Sequence, residues 1–311
     1  MTTKVVTDEQ LGHLARRQHD LFFRVTKGAV DFNTVMDGLQ LLADNRKMTA
    51  VYSKAGNWLQ SILACEREYH VNFFGCGFDL SAFRTTLKRY GEKRIKGWQA
   101  LGLEPHFLPR ITMVADAELP GWKIKPEKWF WDQVAAGKIL RSRGGKLEAD
   151  ENALQLEGIT VLVDTRLKPA YENGKQMYEN DNLLGPIIEG LRKKGKIAAY
   201  QGGPQPSRFG VSPNEWEEHV KPAYAKMIGL ELQQVRLERA IEANTIPQMY
   251  RGMPRKDDGN TNTRVWYEEC FGGYGYRLFG GHSDCGGLAH VGCDPSDYHW
   301  SDDSFRPLAV L

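Results

Sequence analysis

"RLFGGHSDCGGLAHVGCDPSDYHWSDDSFRPLAVL", residues 277–311, decides how the rest of the chain is read. Lys and Glu are common before this stretch, yet neither occurs after Glu269. Gly, Asp, Tyr, His, Ser and Cys stand in their place. No simple charge argument removes a cation and an anion together. Short strand-like pieces at 264–269, 276–280, 288–291 and 305–311 alternate with Gly-rich links, a pattern of short strands and turns.

Upstream, "GITVLVDTR" (158–166) is a β-branched apolar run that predicts a buried strand. "NDNLLGPIIEGLRKKGK" (180–196) predicts an amphipathic helix with basic residues in its last turn. Ser212-Pro213-Asn214-Glu215 fits a capping box with Pro at the first helical position. The helix it opens meets Pro222, is expected to restart there and run to about 243, and ends at Asn244-Thr245-Ile246-Pro247. The polar turn "KDDGNTNT" (256–263) leads into the short strands. At the other end, Thr7-Asp8-Glu9-Gln10 fits a capping box before Leu11, Leu14, Leu21 and Val25 at helical spacing. A second helix is expected over 35–45. Residues 50–150 lack clear periodicity, with aromatic stretches such as "WKIKPEKWFWDQV" (122–134). The order predicts an α+β fold: a partly helical N-terminal region over 1–155, then a domain over 156–311.

The chain has 311 residues, 41% of them apolar and 26% charged, a globular composition. No run approaches the length of a transmembrane helix and no apolar signal core opens the chain. A cytoplasmic location is the default expectation, with surface display left open. Five cysteines (Cys65, Cys76, Cys270, Cys285, Cys293) give an odd count without a CxxC pair, which argues for reduced thiols. Net charge is +2, but residues 80–146 carry 14 Lys/Arg against 6 Asp/Glu, while 271–311 carry two Arg against five Asp. The basic segment reads first as a solvated face and second as a contact for an acidic partner.

The Gly-rich tail fits neither GxGxxG before a helix nor a P-loop, and it has no Lys to meet phosphate. Cys285, His290, Cys293 and His299 carry zinc-type donors, but no tight knuckle spacing joins them, so no metal and no cofactor is expected. His282, Ser283 and Asp284 are adjacent in sequence, whereas triad members converge from separate elements. Glu268 and Glu269 would point to opposite faces of a strand, one structural and one exposed. Recognition remains. Tyr267, Phe271, Tyr274, Tyr276, Tyr298, His299 and Trp300 offer large amphipathic surfaces, with His282 among them as a further contact. Ser283, Asp284, Cys285, His290, Cys293, Asp294, Ser296, Asp297, Asp302 and Asp303 offer adaptable polar contacts. Tyr mixed with small polar residues is the composition of evolved binding surfaces.

Arg277-Leu278-Phe279-Gly280-Gly281, then Gly286-Gly287-Leu288-Ala289, then Phe305-Arg306-Pro307-Leu308 resembles the C-terminus of the variable proteins of diversity-generating retroelements. The resemblance implies a C-type lectin fold of the formylglycine-generating-enzyme subtype in the C-terminal half: a strand, two helices, then several short strands. Ser304 stands where the family's terminal motif has Gly. It further implies that a template RNA is miscopied at adenines and rewritten into the gene, with the variable segment near 265–305. Template codons AAC or AAT then yield every residue type except Lys, Glu, Gln, Met and Trp. Between His282 and Ser304 only Trp300 falls outside that set. The resemblance casts Arg277, Gly280, Gly281, Gly286, Gly287, Trp300, Phe305 and Arg306 as fixed scaffold. Arg306, one of only two cations in the tail, is expected to be partly buried on carbonyls or a carboxylate. It implies a non-catalytic protein binding an unidentified protein, peptide or glycan. The usual calcium-site motif of lectins is missing. Two alternatives stand: a copper oxidase of the formylglycine-generating type using Cys285 and Cys293, and a nucleic-acid-associated protein using 80–146.

Overall fold

The computed structural model describes residues 58–311, apart from 144, 166–170, 173–174, 177–180, 251–261 and 283–286. The helices expected over 7–25 and 35–45 lie outside the described residues. Ile62–Leu311 forms one compact unit of mixed α and β structure. In chain order the described elements are α1 (Trp58–Phe74), α2 (Ser81–Tyr90), α3 (Glu92–Ala100), β1 (Leu103–Thr112), α4 (Lys128–Ala135), β2 (Ile139–Arg143), β3 (Lys146–Ala149) and β4 (Gln155–Asp164). A small ribbon, β5 (Tyr171–Glu172) and β6 (Lys175–Gln176), precedes α5 (Gly185–Lys193). Then come a helical turn at Pro213–Glu215, a π turn at Trp216–Val220, α6 (Lys221–Ile228), β7 (Val235–Leu237) and α7 (Ala240–Met249). β8 (Asn262–Phe271), β9 (Tyr276–His282), β10 (Val291–Pro295), β11 (Asp303–Phe305) and β12 (Pro307–Val310) complete it.

Two sheets organise these elements. One runs β1-β4-β12-β7, antiparallel throughout. The other runs β10-β9-β8-β2-β3, with β11 pairing β8 in parallel. The boundary expected at 155/156 therefore falls at the start of β4, whose neighbour β1 comes from the supposed N-terminal region. Glu268 on β8 accepts the Leu237 N–H of β7 at 3.1 Å, which ties the two sheets together.

Why α7 forms is a matter of its surroundings rather than amphipathicity. A helix buried all round shows no apolar stripe, and every residue of α7 from Ala240 to Pro247 is buried. Ile241, Ile246 and Met249 pack with Leu108, Val161, Val163 and Leu308 of the first sheet. Ala240 and Ala243 pack with Val265, Tyr267 and Leu278 of the second. The buried Glu269 carboxylate accepts the Ala240 N–H at 3.0 Å and so caps the helix. Pro247 does not end α7, as was expected, because this packing holds the turn that continues to Met249. The single helix expected to reach 243 is likewise interrupted. Gly229 terminates α6 in the left-handed conformation (φ +67°), and β7 intervenes before α7.

The Ser212 capping box forms in both directions, with Glu215 N–H on Ser212 Oγ and Ser212 N–H on Glu215 Oε2. The segment expected as a strand at 288–291 divides into a 3-10 turn over Gly287–Ala289 and the start of β10. Among its described residues, the region 50–150 holds four helices and three strands of its own. Among the described residues, no helix is long and apolar enough to cross a membrane.

Candidate binding surface

The tail divides into a buried frame and exposed insertions. Phe305 and Arg306 are 1% and 2% exposed, and the Arg306 guanidinium reaches the Asp164 carbonyl at 3.5 Å. Arg277, nearly buried, donates to the Glu268 carbonyl at 2.6 Å across the β8–β9 pair. Gly280 sits in the middle of that pairing, where a Cβ would collide with the His290 carbonyl oxygen and the Tyr267 hydroxyl. Only glycine fits there. Gly281 and Gly287 are buried as well.

On this frame stand Tyr274, Tyr276, Tyr298 and Trp300, the only exposed aromatic side chains among the described residues. Local bonding gathers them. Tyr276 pairs with Pro295 across β9–β10, Ser296 donates from its N–H to the Gly275 carbonyl and from Oγ to the Tyr274 carbonyl, and Tyr298 N–H donates to Pro295. The rings of Tyr298 and Trp300 meet edge-on at 5.5 Å. Tyr274 Oη donates to the Gly145 carbonyl at the tip of the β2–β3 hairpin, 3.1 Å away, so part of the surface lies outside the tail.

Charge on this surface is mostly acidic. Asp297 is exposed, and Asp294 and Asp302 are half-buried. Burial pushes the Asp294 carboxyl up, opposed by Arg264 and by a hydrogen bond from the Trp300 indole. His299 lies 3.0 Å from Glu215. That hydrogen bond raises the imidazole above its ordinary value, against partial desolvation. Burial acts to raise Glu215, but His299 and the backbone N–H groups of Ala198 and Ser212 outweigh it and hold the carboxyl low. Glu215 thus both caps a helix and anchors His299.

Several residues expected on the surface are elsewhere. Tyr267 is 2% exposed and packs in the second core, because β8 carries neighbours on both faces and bulges between Trp266 and Cys270. Ser296 and Asp303 are buried, the first by its bonds to the 274–275 turn. Phe271 is half-buried against Trp129 at 5.3 Å. His290 is half-buried, with Nδ1 3.0 Å from Glu127. Cys293 is half-buried and burial pushes its thiol up. Trp300, which the resemblance casts as a fixed residue, is exposed, and its ring is held by Tyr298, Asp294 and Arg264. The side chain of His282, and Ser283, Asp284, Cys285 and Gly286, lie outside the described residues. Neither Glu268 nor Glu269 is exposed, since both carboxylates accept backbone N–H groups at the junction of the sheets.

Sequence reasoning missed Arg264, Glu215 and Gly145 as parts of this surface. The Gly144-Gly145 dipeptide, a hairpin signal, could have located the β2–β3 turn. Nothing local marks Arg264. Among the described residues, no three His, Cys, Asp or Glu side chains gather as a metal-holding group. Compared with family models, curated proteins and solved structures, the chain matches none.

Proposed function

We propose that the chain is a non-catalytic ligand-binding protein with a C-type lectin fold, whose tail surface is diversified by retroelement copying. One observation carries the reading: every exposed aromatic side chain among the described residues lies between 274 and 300, on a frame whose motif residues Arg277, Gly280, Phe305 and Arg306 are buried. Tyr274, Tyr276 and Tyr298 are of types that such copying can replace, beside a fixed Trp300, and replaceable side chains on a fixed backbone are what a diversified surface needs. Concentrated aromatic exposure marks an interaction site. Sequencing the gene's 3′ end and its neighbourhood tests the reading. A near-repeat of codons 265–305 beside a reverse transcriptase, differing at template adenines, is the expected result. Absence of such a repeat overturns diversification.

The oxidase alternative needs Cys285 and Cys293 as a thiolate pair, and Cys285 lies outside the described residues. The nucleic-acid reading has an observation of its own. Arg84, Lys88, Arg89, Lys93, Arg94 and Lys96 are all exposed on α2 and α3, against the single acid Glu92. The Arg89 and Arg94 guanidiniums converge on the Tyr90 ring at 4.9 and 5.5 Å. On this reading an Arg89→Ala, Arg94→Ala double variant lowers affinity for duplex DNA and flattens its salt dependence by about two phosphate contacts. Unchanged salt dependence in a titration at several salt concentrations excludes it.

A further inference from the structure

Tyr200 stands well outside the tail in sequence, yet its hydroxyl donates to the Ser301 carbonyl at 2.9 Å, 101 positions further along the chain. A buried tyrosine needs such a partner for its polar tip, and this ring is 5% exposed. Its surroundings leave it little freedom. The Arg192 guanidinium lies 5.6 Å from the ring centre, and the Phe209 ring stacks on it at 6.3 Å. Gln205 pairs with its backbone in both directions, at 3.3 and 2.9 Å. Arg192 also donates to the carbonyls of Ala198, Ser207 and Phe209, which fixes the course of the segment. Gly202 and Gly210 close around the ring. A Cβ at 202 would stand 2.5 Å from the hydroxyl, and one at 210 would stand 2.8 Å from a ring carbon.

Ser301 is the first of three successive carbonyls gripped from outside the loop. Asp302 accepts from the Arg264 N–H at 3.0 Å, and Asp303 accepts from the Gly210 N–H at 3.3 Å. At the other end the Ser296 carbonyl accepts from the Asn214 N–H at 3.1 Å. All four acceptors are main-chain oxygens, which every residue type supplies. Three of the four donors are main-chain too, so Tyr200 is the one among them that a substitution can take away. The contact of His299 with Glu215, by contrast, ends on a tail side chain. Between the gripped ends Asp297, Tyr298, His299 and Trp300 are exposed. We infer that Tyr200 is a positioning residue of this surface, fixing through the Ser301 carbonyl the loop that presents Asp297, Tyr298 and Trp300. The inference rests on the binding reading above and deepens it, by assigning part of the surface's shape to a segment upstream of the tail. A change of residue type at 297 or 298 then alters what the surface offers and not where it offers it. A loop ordered beforehand also spares a ligand the cost of ordering it.

Amide hydrogen exchange of the full chain, read by mass spectrometry over 296–303, tests the role without a ligand. Tyr200→Phe keeps the ring and removes the hydroxyl, and it is expected to speed exchange in the loop by about fivefold, the worth of one hydrogen bond in an opening equilibrium. Gly202→Ala, whose Cβ displaces the hydroxyl, is expected to act alike and decides the matter if Tyr200→Phe fails to fold. Ile246→Val, in the buried helix α7, destabilises the whole fold by a like amount. It is expected to leave loop exchange unchanged, because the loop opens without global unfolding. Tyr298→Ser and Asp297→Asn, at exposed positions, are expected to stay within about twofold of the parent. Loop exchange unmoved by Tyr200→Phe and Gly202→Ala overturns the inference. An equal rise with Ile246→Val also overturns it, since Tyr200 then supports the fold rather than the loop. So does an equal rise with Tyr298→Ser, which assigns the holding to tail side chains. A selective rise without a template repeat keeps the positioning role and removes diversification. A repeat with an unselective rise does the reverse.

Discussion

Replacing Arg208 with Leu lowers the unfolding free energy by about 3–5 kcal/mol, the cost of breaking a buried ion pair by removing one partner. The Arg208 side chain is 1% exposed and lies between two carboxylates, Asp164 at 2.7 Å and Asp181 at 2.6 Å, themselves 1% and 0% exposed. It also approaches the Phe305 carbonyl at 3.4 Å. Leu fills much of the space but leaves two acids in a dry interior without their shared cation. The loss falls on the tail, because Asp164 ends β4 where Arg306 makes its carbonyl contact. Urea denaturation read at its midpoint measures the change, and a fall in Tm of about 10 °C accompanies it for a unit of this size. Arg208→Lys keeps the charge but not the two-armed reach and is expected to lose part of the same amount. A Leu variant within about 1 kcal/mol of the parent shows that the triad contributes little to stability.

The second large effect is expected at Glu66. Its carboxylate accepts from the Phe107 N–H and the Tyr250 hydroxyl, each at 2.7 Å, and from His106 Nδ1 at 2.9 Å. Burial by itself would raise Glu66, but His106 overcomes it and holds the carboxyl at about 2. Burial likewise would lower His106, and Glu66 overcomes it to raise the imidazole to about 9. A raised His contributes stability that is full below its unfolded value near 6.5 and is lost as pH climbs through about 9. A depressed Glu contributes stability that is full above about 4.5 and is lost as pH falls through about 2. The pair is therefore strongest between pH 4.5 and 6.5. Glu66→Gln is expected to cost about 3 kcal/mol at pH 6, one coupling energy shared by both groups rather than counted twice. It also shrinks the alkaline decline between 6.5 and 9, leaving the part that Glu104 supports from 3.7 Å. Denaturation midpoints across this pH range give both readings, and a variant retaining the full alkaline decline contradicts the assignment to His106.

Local signals were legible and distant ones were not. The strand around 158–164, the basic-ended helix α5 and the Ser212 capping box follow from patterns within one element, and the structure contains all three. β7 was read as helix because its three residues gain their strand character from β12, some seventy positions away. The helices α2 and α3 are only 10 and 9 residues long and rich in exposed cations, so their stability comes from packing rather than propensity. Trp98 illustrates this: its indole donates to the Ile228 carbonyl at the end of α6, at 3.0 Å. Within the tail, the exposed positions of Tyr274, Tyr276, Asp297, Tyr298 and His299 follow from composition and turn chemistry. Tyr267 did not, because alternation fails on a strand covered on both faces. Codon arithmetic casts Trp300 as fixed, which carries no information about burial.

The placement of β12 has a bearing on inheritance. This strand lies inside its sheet, between β4 and β7, and it is encoded downstream of the insertions. If the tail is rewritten by copying, any slip in reading frame scrambles Leu308 and Ala309, both fully buried, together with the Phe305 and Arg306 that precede them. Such a product loses the middle of a sheet and cannot fold. In-frame replacements between the fixed motifs leave that strand intact. Under that proposal the architecture would filter the copying, discarding frameshifted genes at the level of the protein while passing substitutions through.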